Sequence, residues 1–167
     1  MKTILVPTDF SEVAENAAKY AMELAKLYKR AKVIFFHVYS VPTVIAADVP
    51  MMSVPFEQME IESNKLLKAF AAKYKDADIE TELLVSPGFV VDEILYLLGR
   101  RRVDMIVMGV TGAGKSGGGS GSNTTSVMKL VKQPVFVIPK EVQFKKPERI
   151  ALACDYTAIV SDEVIEK

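Results

Sequence analysis

Two stretches of this chain combine residue types that could do chemistry: Thr8 with Asp9 near the start, and the glycine-rich run from Gly109 to Ser122. From Gly109 through Gly114, Lys115 and Ser116 the run matches the phosphate-binding pattern G-x-x-x-x-G-K-[ST], and it follows an apolar strand as such a loop should. The chemistry would be backbone amides around a phosphate, Lys115 against its charge and Ser116 on magnesium. That pattern also has to open directly into a helix, whose first amides and dipole complete the anion site. Here Gly117, Gly118, Gly119, Ser120, Gly121 and Ser122 come next, and so many glycines oppose helix initiation. A second reading splits the motif. Gly109 and Gly112 let the backbone approach a ligand, and a helix starting near Gly121 and Ser122, with Asn123, Thr124 and Thr125 beside it, receives phosphates at its N-terminus. In a third reading Gly117 to Ser122 is only a flexible connection.

These residues need a scaffold, and the hydrophobic pattern supplies one. Thr3 to Val6 is a short apolar run of the kind buried on both faces, broken by Pro7, Thr8 and Asp9. Ser11 offers a helix N-cap, and Val13, Ala14, Ala17, Ala18, Ala21, Leu24, Ala25 and Tyr28 recur at helical spacing. Lys32 to Val38 is a second strand. Ser40 to Pro55 is a long apolar stretch interrupted by Pro42, Pro50 and Pro55, so no single helix can run through it. Phe56 to Tyr74 is an amphipathic helix, Ile79 to Val85 a strand, Val90 to Leu98 a helix and Asp104 to Met108 a fourth strand. Thr124 to Lys132 and Pro134 to Ile138 read as the last helix and strand. The alternation predicts an α/β fold with a parallel sheet covered on both faces. Ligands in such sheets sit beyond the carboxyl ends of the strands, where strand order reverses.

Composition narrows the function classes. The 167 residues carry 21 Lys plus Arg and 21 Asp plus Glu, a balance that argues against nucleic acid as partner and gives no polybasic membrane signal. One cysteine, Cys154, and one histidine, His37, argue against a disulfide framework or a structural zinc site. The first apolar run is too short for a signal peptide and no stretch suits a membrane span, so the cytoplasm is the expected location. After Lys140, residues 141–147 read as a polar linker. Arg149 to Asp155 then echoes Thr3 to Asp9, which predicts that residues 148–167 begin a second, truncated copy of the domain at 1–140. A sixth strand is the alternative.

The start at Pro7, Thr8, Asp9, Phe10 and Ser11 resembles that of the universal stress proteins. So do His37 and Val38 closing strand two, Asp104 to Gly109, Gly121 and Ser122 before Val127, and the strand from Pro134 to Ile138. The resemblance implies an open five-stranded parallel sheet of order 3-2-1-4-5, Rossmann-like and similar to the adenine nucleotide alpha hydrolases. It also implies a bound adenine nucleotide (ATP, or ADP or AMP), with magnesium accompanying a triphosphate. Carried over by position, Asp9 and Thr8 would lie at adenine and ribose, Pro7 would line the base, and Val38 would offer backbone atoms to it. Met108, Gly109, Gly112, Gly121, Ser122, Asn123 and Thr124 would surround ribose and phosphates. The family's ATP-binding subset places nine residues between the second and third motif glycines; here Gly112 and Gly121 enclose eight.

Simpler roles compete with these. Asp9 serves equally as a cap at Ser11, His37 as packing at a strand end, Lys115 as an exposed loop charge and Cys154 as a buried strand residue. No general base stands near the phosphates in the sequence, so the expectation is an ATP-binding stress-response sensor or regulator that is not an enzyme, beyond slow ATP hydrolysis. The alternatives are an interaction module of the same fold without nucleotide, and a P-loop ATPase using Lys115. The family resemblance further implies a homodimer, or a pseudo-dimer in a tandem chain.

Overall fold

A computed structural model describes residues 1–40, 56–110 and 120–151. In chain order its elements are β1 (Lys2–Pro7), α1 (Glu12–Ala25), β2 (Ala31–Tyr39), α2 (Phe56–Ala72), β3 (Ile79–Pro87), α3 (Val90–Arg100), β4 (Met105–Val110), α4 (Ser120–Leu130) and β5 (Val135–Pro139). The five strands form one sheet of order β3-β2-β1-β4-β5, every pair parallel, as the alternation and the resemblance together predict.

Period-two burial explains why the strands read as unbroken apolar runs. Ile4, Val6, Val33, Phe35, Met105 and Val107 point into one core with α1 and α2. Leu5, Ile34, Phe36, Ile106 and Met108 point into a second core with α3 and Val127 of α4. Alternate residues thus serve opposite cores, which leaves little of the central strands for polar side chains. The alanines of α1, Ala17, Ala18 and Ala21, are fully buried and let that helix lie close to the sheet.

Several helix ends differ from the sequence reading, α2 ending at Ala72 rather than Tyr74 and α3 at Arg100 rather than Leu98. Helix α1 stops at Ala25, and Tyr28 belongs to the turn that follows, its amide on the Ala25 carbonyl at 3.0 Å. Helix α4 starts at Ser120, four residues before Thr124, and ends at Leu130 rather than Lys132. Glycine and β-branched threonines are poor helix formers. Tertiary anchors hold this segment: Val127 is fully buried, and Thr124 Oγ1 donates to the Gly109 carbonyl at 3.1 Å.

The arginine cluster at the end of α3 is engaged at the surface. Arg100 lies 4.4 Å over the Tyr96 ring, Arg101 pairs with Glu82, and Arg102 stands 3.6 Å from Asp104. Residues 141–147, read as a linker, are partly docked on α1: Asn16 Nδ2 donates to the carbonyls of Pro139 and Val142 at 2.9 and 2.8 Å, and Phe144 packs edge-on against Tyr20. Of the echo of strand one, Arg149, Ile150 and Ala151 are described and carry no strand pairing; the rest lies outside the described residues, as does the stretch from 41 to 55.

Candidate functional site

Strand order reverses at β1. The chain moves outward through β2 and β3, then crosses back through α3 to place β4 on the other side of β1. The β1–β4 register pairs only Ile4 with Met105 and Leu5 with Ile106, although both strands run further. Pro7 supplies a reason. The Thr3 amide donates to the Asp104 carboxylate and the Thr3 carbonyl accepts from the Asp104 amide, both on the β4 side, while the Thr8 amide donates to the Phe36 carbonyl on the β2 side. By alternation the nitrogen of Pro7 faces β4, where it has no hydrogen to give. The ladder ends there and a crevice opens.

A cleft of about 470 Å³ occupies that position. It is lined by Pro7, Thr8, Asp9, Val38, Met108, Gly109, Asn123 and Thr124, which the sequence had singled out, and by Ser11, Val13, Ala14, Phe36 and Val90, which it had not. Two signals were available for these. Ser11 caps α1, so the first turn of that helix has to face the same strand ends. Phe36 lies two residues before Val38 and therefore on the same side of the sheet. Val90 depends on the turn after β3, which the sequence does not orient.

The wall at Thr8 to Ser11 is a hydrogen-bonded turn. Thr8 Oγ1 accepts from Phe10 N at 3.0 Å, and Asp9 Oδ1 accepts from Ser11 N at 3.0 Å and from Ser11 Oγ at 2.6 Å. Ser11 Oγ in turn accepts from Ala14 N at 3.3 Å, which caps α1. The capping role foreseen for Asp9 is therefore real and indirect, since it holds the capping serine through one oxygen. Thr8 is buried and Asp9 exposed. Phe10 takes φ 65°, a left-handed conformation uncommon outside glycine.

The opposite wall joins β4 to α4. A β-carbon on Gly109 would stand 2.7 Å from the carbonyl oxygen of Val13 and 2.6 Å from its Cγ1. The glycine is needed because the backbone of α1 passes over it, a different reason from the ligand approach the sequence suggests. Thr124 lines the cleft, yet its hydroxyl proton is committed to the Gly109 carbonyl, so the hydroxyl faces a ligand as an acceptor. Gly121 and Ser122 stand in the first turn of α4. Gly112 and Lys115 lie outside the described residues, with the whole stretch from 111 to 119. Lys115 and Ser116, where a P-loop requires its helix to open, are among these, and α4 is described from Ser120.

No Lys, Arg or His is among the described residues lining the cleft. An anion there would meet backbone amides at the start of α4 and the positive end of its dipole. Among the described residues no cluster of His, Cys, Asp and Glu suits a metal ion, and no helix is long and apolar enough to cross a membrane.

A doubly wound parallel sheet with a cleft at its switch point defines a class of nucleotide-binding architectures. Within it, the sequence pattern of the universal stress protein family matches residues 1–139, and the chain belongs to that family. The universal stress protein MJ0531 of Methanocaldococcus jannaschii is 31% identical over 144 residues, covering 83% of this chain and 82% of its own. A universal stress protein solved in complex with cAMP shares the fold at TM-score 0.56 and 22% identity, over 83% of this chain and 97% of its own. A family protein from Arabidopsis thaliana solved with AMP bound does so at TM-score 0.55 and 17% identity, over 83% and 92%.

Proposed function

We propose that this protein binds an adenine nucleotide in the cleft between β1, β4 and the start of α4, and acts as a stress-response sensor or regulator rather than an enzyme. The observation that carries the reading is the convergence on one cleft of Thr8 and Asp9, Val38, and Asn123 with Thr124. Its volume falls in the range of small-molecule sites. Asp9 keeps one carboxylate oxygen beyond the one that holds Ser11, a fit for ribose hydroxyls. Val38, at the end of β2, offers strand backbone to the base, and the first turn of α4, with Gly121 and Ser122, offers amides to the phosphates. The related folds solved with AMP and cAMP support this ligand class. For a triphosphate, Gly112 would offer a backbone amide, and a magnesium ion would supply the positive charge that the described lining side chains lack. Catalysis is not part of the proposal, because no general base lies among the lining residues apart from Asp9, which is engaged with Ser11.

The family resemblance also suggests a cytoplasmic homodimer joined through β5, an edge strand whose Val135, Phe136 and Val137 are half-buried. Light scattering on the purified protein reads that state directly. For the ligand, heat-denatured protein is analysed by mass spectrometry for released adenine nucleotides, and calorimetry follows with AMP, ADP and ATP, with and without magnesium. Binding by at least one of them is the expected result. Release of nothing, and no heat with any nucleotide, would favour an interaction module of the same fold. Loss of binding in Lys115→Ala but not in Ser122→Ala would favour a P-loop site.

A further inference from the structure

We infer that His37 is the positioning residue that aims the Thr8–Asp9 peptide at the ligand, acting from the face of the sheet opposite the cleft. His37 follows Val33 and Phe35 on the α1/α2 side, whereas Phe36 and Val38, on the other side, belong with the cleft. Its Nδ1 lies 2.8 Å from the Thr8 carbonyl oxygen. A carbonyl only accepts, so Nδ1 carries the proton and donates. The same ring stacks on Phe10 with centroids 4.3 Å apart, and Phe10 in turn meets Phe70 of α2 edge-on at 5.7 Å. His37 thus grips the turn at two points, on either side of Asp9.

The consequence for the cleft follows from peptide geometry. In a trans peptide the carbonyl and the next amide point in opposite directions, and this chain has no cis bond among its described residues. Drawing the Thr8 carbonyl toward β2 and the α1/α2 face therefore turns the Asp9 N–H toward β4 and the α3/α4 face. That is the side on which Phe36, Val38 and Met108 line the cleft. The stack on Phe10 also holds that residue at φ 65°, a conformation disfavoured in the free chain, and so keeps Asp9 and Ser11 in register for their own bonds. His37 touches no ligand in this account. It acts through Thr8, Asp9 and Phe10.

The inference rests on the adenine-nucleotide reading for its effect on affinity, and on the chain alone for its effect on the turn. Three substitutions separate the contacts. His37→Asn keeps a donor at the place of Nδ1, His37→Phe keeps the ring and loses the donor, and His37→Ala loses both. The expected result is AMP affinity close to wild type in the Asn variant and a loss of about tenfold in the Phe and Ala variants. Amide hydrogen exchange at Phe10 and Ser11 should speed up in those two and not in His37→Asn. Nitrogen-15 spectra of the wild-type imidazole should show the Nδ1–H tautomer. Affinity and exchange in His37→Phe equal to wild type would overturn the inference, as would an Asn variant no better than Ala or a wild-type Nε2–H tautomer. Should the wild type bind no adenine nucleotide, the proposed function fails by itself, and the exchange rates and the tautomer still decide the role of His37.

Discussion

Asp9 works with its two carboxylate oxygens separately. Oδ1 gathers the amide and hydroxyl of Ser11 and so fixes the start of α1, while the proposed ligand contact belongs to the other oxygen. Asp9→Asn can keep an oxygen toward Ser11 and replaces the other by a donor. AMP affinity in calorimetry should therefore fall about tenfold while the urea midpoint hardly moves. Asp9→Ala removes both contacts and should lower both. The Thr8–Asp9 pair was legible in the sequence because it ends a buried apolar run, and strand ends are where this class of fold binds ligands. Gly109 was legible as a position and not as a mechanism. Its neighbour, Val13, is close only once two distant segments have packed, and no local pattern reports that contact.

At the scale of elements, the contact between the end of β4 and the first turn of α1 fixes the width of the cleft. Gly109→Ala would drive a β-carbon against the backbone of Val13, which cannot swing aside as a flexible side-chain tip does. The expected cost is about 1–3 kcal/mol in urea unfolding, with weakened AMP binding in the population that remains folded. Strands and helices were readable because buried parallel strands lack alternation and α1 repeats small residues at helical spacing. The start of α4 was not. Its residues, Ser120, Gly121, Asn123 and Thr124, have weak helix propensity, and what fixes the segment is the burial of Val127 and the bond from Thr124 to β4. The turn that brings Val90 to the cleft was equally silent: Gly88 there adopts φ 136° and donates to the Tyr39 carbonyl, an arrangement set by the packed sheet.

Across the whole molecule, stability at high pH should depend on a phenol that does not line the cleft. Burial, with a smaller contribution from Glu15, pushes Tyr74 up from 10.0 to about 12. The folded state thus prefers the neutral phenol. As pH rises past 10 the unfolded chain gives up that proton first, so folding stability declines until the folded phenol also ionises near 12, a loss on the order of 3 kcal/mol at most. Lys26, Lys32 and Lys140, raised chiefly by hydrogen bonds to Glu23, Glu80 and Glu12, add loss in the same direction. Comparison with Tyr74→Phe isolates the tyrosine: the wild-type urea midpoint should fall faster than that of the variant above pH 10, whereas a constant offset between the two would mean that Tyr74 contributes nothing. The other feature that acts at this scale is the hook of Asn16 on the carbonyls of Pro139 and Val142, with Phe144 against Tyr20. The family pattern stops at residue 139, and the contacts that cover α1 extend past it. A gene cut to that pattern would make a chain that folds with α1 partly stripped on its outer side, and its thermal midpoint should lie several degrees below that of a chain ending at Pro147. The same helix supplies Ser11, Val13 and Ala14 to the cleft, so a boundary drawn by homology would trim the back of the wall against which the ligand is proposed to rest.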